Sequence, residues 1–269
     1  MNIHSLRLFL AVPTLSLFMS QATGSNLPTG SLPSGSGTAV PSSEEEPVAS
    51  WVRELSNLPS EQRDAYALAF QAAKKCYAQG RLAECEGHLN TCEFYTRSNP
   101  NVWNLRASVL ISQQRFAEAE PLLQEVRRAN PQDSVARLSL SLLYLGAHDY
   151  EKCLHETDQL LEDIKYKDME QLTHSLTFRK FLCLIMLERM EEARALVAKC
   201  SPMDDSPLYY YSQGVFFLSN GDRQSALRDF NAADSIYSNT GYISGYKQAL
   251  SYSGLVEKLS APASAGAAQ

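Results

Sequence analysis

The most constraining feature of this chain is a spacing. Ala73, Ala107 and Ser141 stand 34 residues apart, and so do Cys76, Leu110 and Tyr144, then Leu82, Phe116 and Tyr150, then Cys85, Ala119 and Cys153. Four columns of matching chemistry at one period mean that a single structural unit is used again and again. One unit, Asn101 to Pro131, reads as two short helices joined by a turn. Small residues on both helices let the two backbones approach closely, and larger residues fill the groove beside the crossing. Asn99-Pro100 and Asn130-Pro131 end the second helices of the first two units, since proline cannot continue an α-helix and disfavours helical geometry in its predecessor.

After Cys153 the next small residue in that column is Ala193, 40 positions on, so six extra residues fall within Ile164 to His174. The pattern returns in Tyr209 to Ala233, with small or aromatic residues at Gly214, Phe217, Gly221, Ala226, Phe230 and Ala233. The fourth unit carries Phe181 where its neighbours have Ala, Ser or Gly, which predicts a wider crossing there. Val48, Trp51, Val52 and Leu55 are at helical spacing and predict a short helix ahead of the first unit. Ser60 is then expected to N-cap a long helix reaching about Gln79. Tyr242 to Leu259 is expected to be a last helix covering the exposed end of the stack, as stacked repeats require. No persuasive run of β-branched alternation predicts a strand.

Trp103, Ala107, Phe116, Ala119, Leu123 and Pro131, taken with the 34-residue period, resemble a tetratricopeptide repeat. The resemblance covers about Ser60 to Leu259 and implies an all-α, right-handed α-solenoid of about five helix-turn-helix hairpins with a capping helix at each end. It also implies a general occupation, which is holding other polypeptides. In such stacks the first helix of each unit lines a concave groove. Carried over unit by unit, that groove would hold Phe70, Lys74 and Tyr77, then Asn101, Asn104, Ser108 and Ile111, then Leu138, Leu142 and Leu145. Unit four would add Phe178, Leu182 and Ile185, and unit five Tyr211, Val215 and Leu218. The trough thus begins mixed and becomes oily, and exposed apolar surface of that extent asks for a cover. A partner segment, a second copy or the chain's own tail would serve; alternatively, tight curvature packs these side chains on one another. Some family members grip a terminal carboxylate with Lys, Asn and Arg along this groove. Only Lys74 and the Asn101/Asn104 pair resemble that set, so the clamp does not carry over.

Outside the repeats the chain divides at 1–22, 23–47, 48–259 and 260–269. Residues 1–22 read as a secretory signal, with Arg7, an apolar run from Leu8 to Met19 and small residues about Ser20-Gln21-Ala22. That run is about a dozen residues, too short to span a hydrocarbon core of ~30 Å as a helix. Residues 23–47 are rich in Ser, Gly, Pro and Thr and read as a mobile tether; 260–269 read as a frayed tail. The expected setting is exported, periplasmic or attached to the cell envelope, with membrane association only through an uncleaved N-terminus or a partner.

The formal charge of −6, with acids and bases interspersed, argues against a nucleic-acid partner. Six Cys are present, and an exported chain permits disulfides, Cys76 with Cys85 across the first hairpin being the best-placed pair. The alternative is that they are small buried residues, since Cys85 and Cys153 share a column with Ala119. Cys85, His88 and Cys92 superficially suggest a metal site. Seven helical residues span ~10.5 Å, whereas two thiolates on one zinc each lie only ~2.3 Å from the ion. Neither a metal nor a cofactor is expected, and no catalytic motif is present; a Cys-His pair from His148, Cys153 and His155 would need an exposed Cys. The reading is a non-catalytic scaffold that receives a partner segment in the groove, or else a self-assembling structural subunit of an envelope complex.

Overall fold

A computed structural model describes residues 50–163, 170–238 and 242–256. The expected leader, tether and tail therefore lie outside the described residues. So does most of the insertion between units three and four. Among the described residues there are twelve α-helices and no strand. A leading helix α1 (Ser50–Ser56) precedes five hairpins: α2 (Ser60–Ala78) with α3 (Leu82–Tyr95), α4 (Pro100–Ser112) with α5 (Phe116–Ala129), and α6 (Ser134–Gly146) with α7 (Tyr150–Asp163). The last two are α8 (Glu170–Met186) with α9 (Met190–Val197) and α10 (Leu208–Ser219) with α11 (Arg223–Ile236). A final helix α12 (Ile243–Tyr252) follows. The architecture is an all-α helical-repeat solenoid.

Each hairpin turns on the same backbone device. Gly80, Gln114, His148, Glu188 and Gly221 all have positive φ, between 60° and 81°. In every case the residue after it donates its amide to the carbonyl five positions back: Arg81 to Cys76, Arg115 to Leu110, Asp149 to Tyr144, Arg189 to Leu184 and Asp222 to Phe217, at 2.8–2.9 Å. This left-handed closure satisfies carbonyls that a helix end would leave orphaned. Its spacing repeats the 34-residue period and the 40-residue slip between units three and four. Helix starts use local caps: Asn99 Oδ1 accepts from Asn101 N (2.9 Å), Asp133 Oδ1 from Ala136 N (2.8 Å) and Asp222 Oδ1 from Ser225 N (3.0 Å). At α2 the expected cap shifts by one. Pro59 is the N-cap, without a side-chain bond, and Ser60 is the first helical residue.

The close-crossing columns are buried as their chemistry requires: Ala73, Ala107, Ser141, Cys85, Ala119 and Cys153 are all inaccessible. In unit five, a Cβ on Gly214 would lie 2.4 Å from Cε1 of Phe230, so the ring occupies the space of the missing side chain. Phe181 in unit four is also fully buried, with its ring edge-on to Phe216 at 5.0 Å. The apolar interior falls into two clusters that share α4. Val102, Leu105 and Val109 join an N-terminal cluster with Tyr66, Cys76 and Leu89, while Ala107, Leu110 and Ile111 join the main one. α1 buries no residue; Glu54 instead accepts from Thr96 Oγ1 (2.8 Å) and Ser98 Oγ (3.0 Å), tying α1 to the α3–α4 loop.

Holding a non-glycine residue in the left-handed region costs about 1–2 kcal/mol, partly offset by the extra unfolded-state entropy of glycine. Gln114 is exposed. Gln114→Gly is therefore expected to raise the melting temperature by about 1–4 °C in a calorimetric scan; a decrease would show that this turn is not strained.

Candidate binding groove

The side chains assigned to the trough come together on the first helices α2, α4, α6, α8 and α10, but most are not exposed. Ile111, Leu142, Leu145, Phe178, Leu182, Ile185, Tyr211, Val215 and Leu218 are all buried, none more than 5% accessible. Tyr77 and Asn104 are buried as well, with Asn104 Nδ2 donating to Asp133 Oδ1 at 3.4 Å. Leu138 and Phe70 are half-buried, and Lys74 alone is exposed. The expectation of an open oily trough thus needs correction along units three to five.

The cover is α12, and this corrects a second expectation. It does not close the end of the stack but lies back across the first helices, packed against both α6 and α8. Tyr246, Ala249, Leu250 and Ser253 fall at i, i+3, i+4 and i+7, the spacing of one helical face, and all four are buried. The Tyr246 ring sits 4.9 Å from Phe178 and 5.1 Å from Tyr211, and those two are 5.6 Å apart, so unit four, unit five and α12 share one aromatic cluster. Such ring pairs contribute about 0.5–1.5 kcal/mol each beyond area burial. Lys247 pairs with Asp234 at 2.7 Å, anchoring the start of α12 to α11.

Its far end is fixed by polar contacts to units two and three. Tyr252 Oη donates to the Ile111 carbonyl (2.9 Å), and the Tyr252 ring stands edge-on to Phe116 at 5.8 Å. Tyr150 Oη donates to the Ser253 carbonyl (2.9 Å). Gly254, at φ +70°, brings the chain so close that a Cβ there would lie 2.8 Å from His148 Nε2. Burial raises the hydroxyl pKa of Tyr252, and more strongly those of Tyr211 and Tyr246, so these phenols stay protonated donors.

What remains open on the inner side is the first unit. There Lys74 Nζ lies over the Phe70 ring at 5.5 Å, and Phe70 stacks on Tyr66 at 6.3 Å. Burial pushes the Cys85 thiol up to about 12 and the Cys92 thiol up to about 11, so both are neutral at ordinary pH, which suits filling rather than ligation. All six cysteines are free, Cys76 and Cys85 included. Among the described residues no helix is long and apolar enough to cross a membrane, and no three His, Cys, Asp or Glu are grouped to hold a metal. The buried arginines, Arg137 and Arg179, were not legible as inner-face residues. The i, i+3, i+4, i+7 stripe of α12 was a signal that it buries a whole face.

Residues 110–165 match the tetratricopeptide repeat family model, which spans α5, α6 and α7. The chain is a tetratricopeptide-repeat protein. Such repeats generally mediate contacts between proteins and are generally non-catalytic. Among solved structures, a tetratricopeptide repeat protein from Parabacteroides merdae ATCC 43184 is similar over 71% of each chain, with 16% identity and a TM-score of 0.51. At that identity the likeness concerns the fold alone. No curated protein matches the chain.

If the repeats' inner face is core rather than open groove, Leu182→Ala should destabilise the chain by about 2–5 kcal/mol in denaturant unfolding. A loss within about 0.5 kcal/mol, the usual size for a surface change, would mean that Leu182 faces solvent.

Proposed function

We propose that the chain is a non-catalytic scaffold whose inner face holds an amphipathic helix, and that in the free protein α12 takes this place. The observation that carries the reading is the seat of α12. A helix with one apolar stripe lies across α6 and α8, ringed by Phe178, Tyr211 and Phe116 and fastened at its far end by Tyr150 and Tyr252. A groove that accepts such a helix from its own chain has the width and chemistry to accept one from a partner.

The partner would be a protein segment carrying aromatic and aliphatic side chains along one helical face. It would compete with a tethered helix whose effective concentration is on the order of millimolar. Binding to the resting protein is therefore weak, and release of α12 sets the apparent affinity. The leader-like residues 1–22 support an exported setting for this work.

A second reading, a self-assembling structural subunit, is favoured by one observation: Phe94 and Leu68 of unit one are 81% and 68% exposed. Light scattering that finds a monomer at all concentrations would set it aside.

The test of the first reading uses a fluorescent peptide of residues 242–256 as the probe. Leu250→Asp places a charge against the buried face and unseats α12, with circular dichroism confirming that the repeats stay helical; Tyr246→Ala is the milder companion. The peptide is expected to bind the unseated proteins at least about tenfold more tightly than the wild type, a difference of about 1.4 kcal/mol. Equal binding to all three, or binding to none, contradicts the proposal.

A further inference from the structure

The joint between units three and four holds a cluster that the scaffold role does not use. Cys153 of α7 and Cys183 of α8 are both wholly inaccessible, and their thiols are in hydrogen-bond contact across the packed pair of helices. Cys153 Sγ donates to the Ser141 carbonyl at 3.1 Å and lies 3.9 Å from Thr157 Oγ1. Arg179, one helical turn before Cys183, is only 8% exposed. Its Nη1 donates to the Leu138 carbonyl at 3.2 Å and to the Ser141 hydroxyl, so that Arg179 and Cys153 meet on one residue.

Arg179 is the unusual member. Its Nε is buried with no hydrogen-bond partner, and among the described residues the ionisable groups acting on its charge are Cys153 and Cys183. A guanidinium taken out of water without an opposing charge is strongly disfavoured. A sulfur that can carry negative charge beside it relieves that, and a cation beside a thiol is what makes sulfur nucleophilic. Burial works against ionisation of Cys153, but the hydrogen bond from Cys183 and the charge of Arg179 outweigh it and bring Cys153 below the ordinary thiol value. Cys183 is held well above that value by the same hydrogen bond and by burial. One sulfur is thus prepared to attack while its neighbour keeps its proton.

We propose that Cys153 and Cys183 are a disulfide-forming pair, closed by exchange with a small-molecule disulfide such as oxidised glutathione, which staples unit three to unit four beneath the α12 seat. In the first step the Cys153 thiolate attacks one glutathione sulfur; the glutathione S–S bond breaks, one glutathione thiolate leaves, and a mixed disulfide forms on Cys153. Cys183 then loses its proton to the departed thiolate and attacks the Cys153 sulfur, releasing the second glutathione. Two protein thiols are oxidised and one glutathione disulfide becomes two thiols. Because neither sulfur is accessible in the folded chain, exchange takes place while the joint is open, as the chain folds.

The experiment refolds the full chain in mixed reduced and oxidised glutathione, quenches with acid, denatures, alkylates and weighs the product. Of the six cysteines four are expected to be alkylated, the protein being two hydrogens lighter, with one crosslinked peptide containing Cys153 and Cys183. Protein folded reduced and then given the same mixture for the same time is expected to alkylate at all six. Cys153→Ala and Cys183→Ala, each a small residue in a small-residue environment, are expected to leave every remaining thiol alkylated. Six labelled thiols after refolding, a glutathione adduct without a crosslink, or a crosslink at another pair such as Cys76 and Cys85 would overturn the proposal.

Discussion

The inner faces of α6, α8 and α10 carry apolar side chains along the side that the stack itself leaves uncovered, and water is a poor neighbour for Leu142, Leu182, Phe178 and Tyr211. Burying one such side chain is favourable by about 1.5–3 kcal/mol. The chain meets this demand internally. α12 returns over the repeats and joins the same apolar cluster as α4 to α11, contributing Tyr246, Ala249 and Leu250, with Leu255 and Val256 after it. The repeats supply the surface and the last helix supplies its cover, so neither is complete alone.

That arrangement rests on how regularly the hairpins are made. Small residues at the crossing fix the distance between the two helices of a unit, and the left-handed residue at each turn fixes the angle at which the second helix leaves. Gln114, His148 and Glu188 accept that backbone strain because the five-back hydrogen bond and the packing around it over-determine the turn. Ion pairs between successive units, such as Arg106 with Glu93 at 2.6 Å and Lys180 with Asp158 at 2.6 Å, add register more than energy.

Much of the fold was legible because its causes are local and repeated. The columns through Ala73, Ala107 and Ser141 report a backbone crossing, and a crossing tolerates few alternatives, so the period survives in one sequence. The six-residue slip showed where the stack is interrupted for the same reason. The site was less legible. Which residues lie on first helices follows from period, but whether they face water depends on where α12 goes, and that is decided by contacts 103 and 141 residues apart in sequence, Tyr150 to Ser253 and Tyr252 to Ile111. No periodicity encodes such pairs. Arg179 was hidden similarly: an arginine on an apolar helix reads as a surface residue until the carbonyl of Leu138 and the hydroxyl of Ser141 are seen to receive it.

The seat of α12 is the claim on which the functional reading turns, and backbone hydrogen exchange tests it most directly. Residues 243–252 are at the far end of the described chain, where a helix merely capping a stack would fray and exchange within seconds. The account predicts that the amides of Tyr246 to Tyr252 are protected to nearly the same free energy as those at the centre of α8, because both open only when the shared core opens. Fast exchange at Tyr246 to Tyr252 with α8 still protected would contradict it and leave the inner face of the repeats open to solvent.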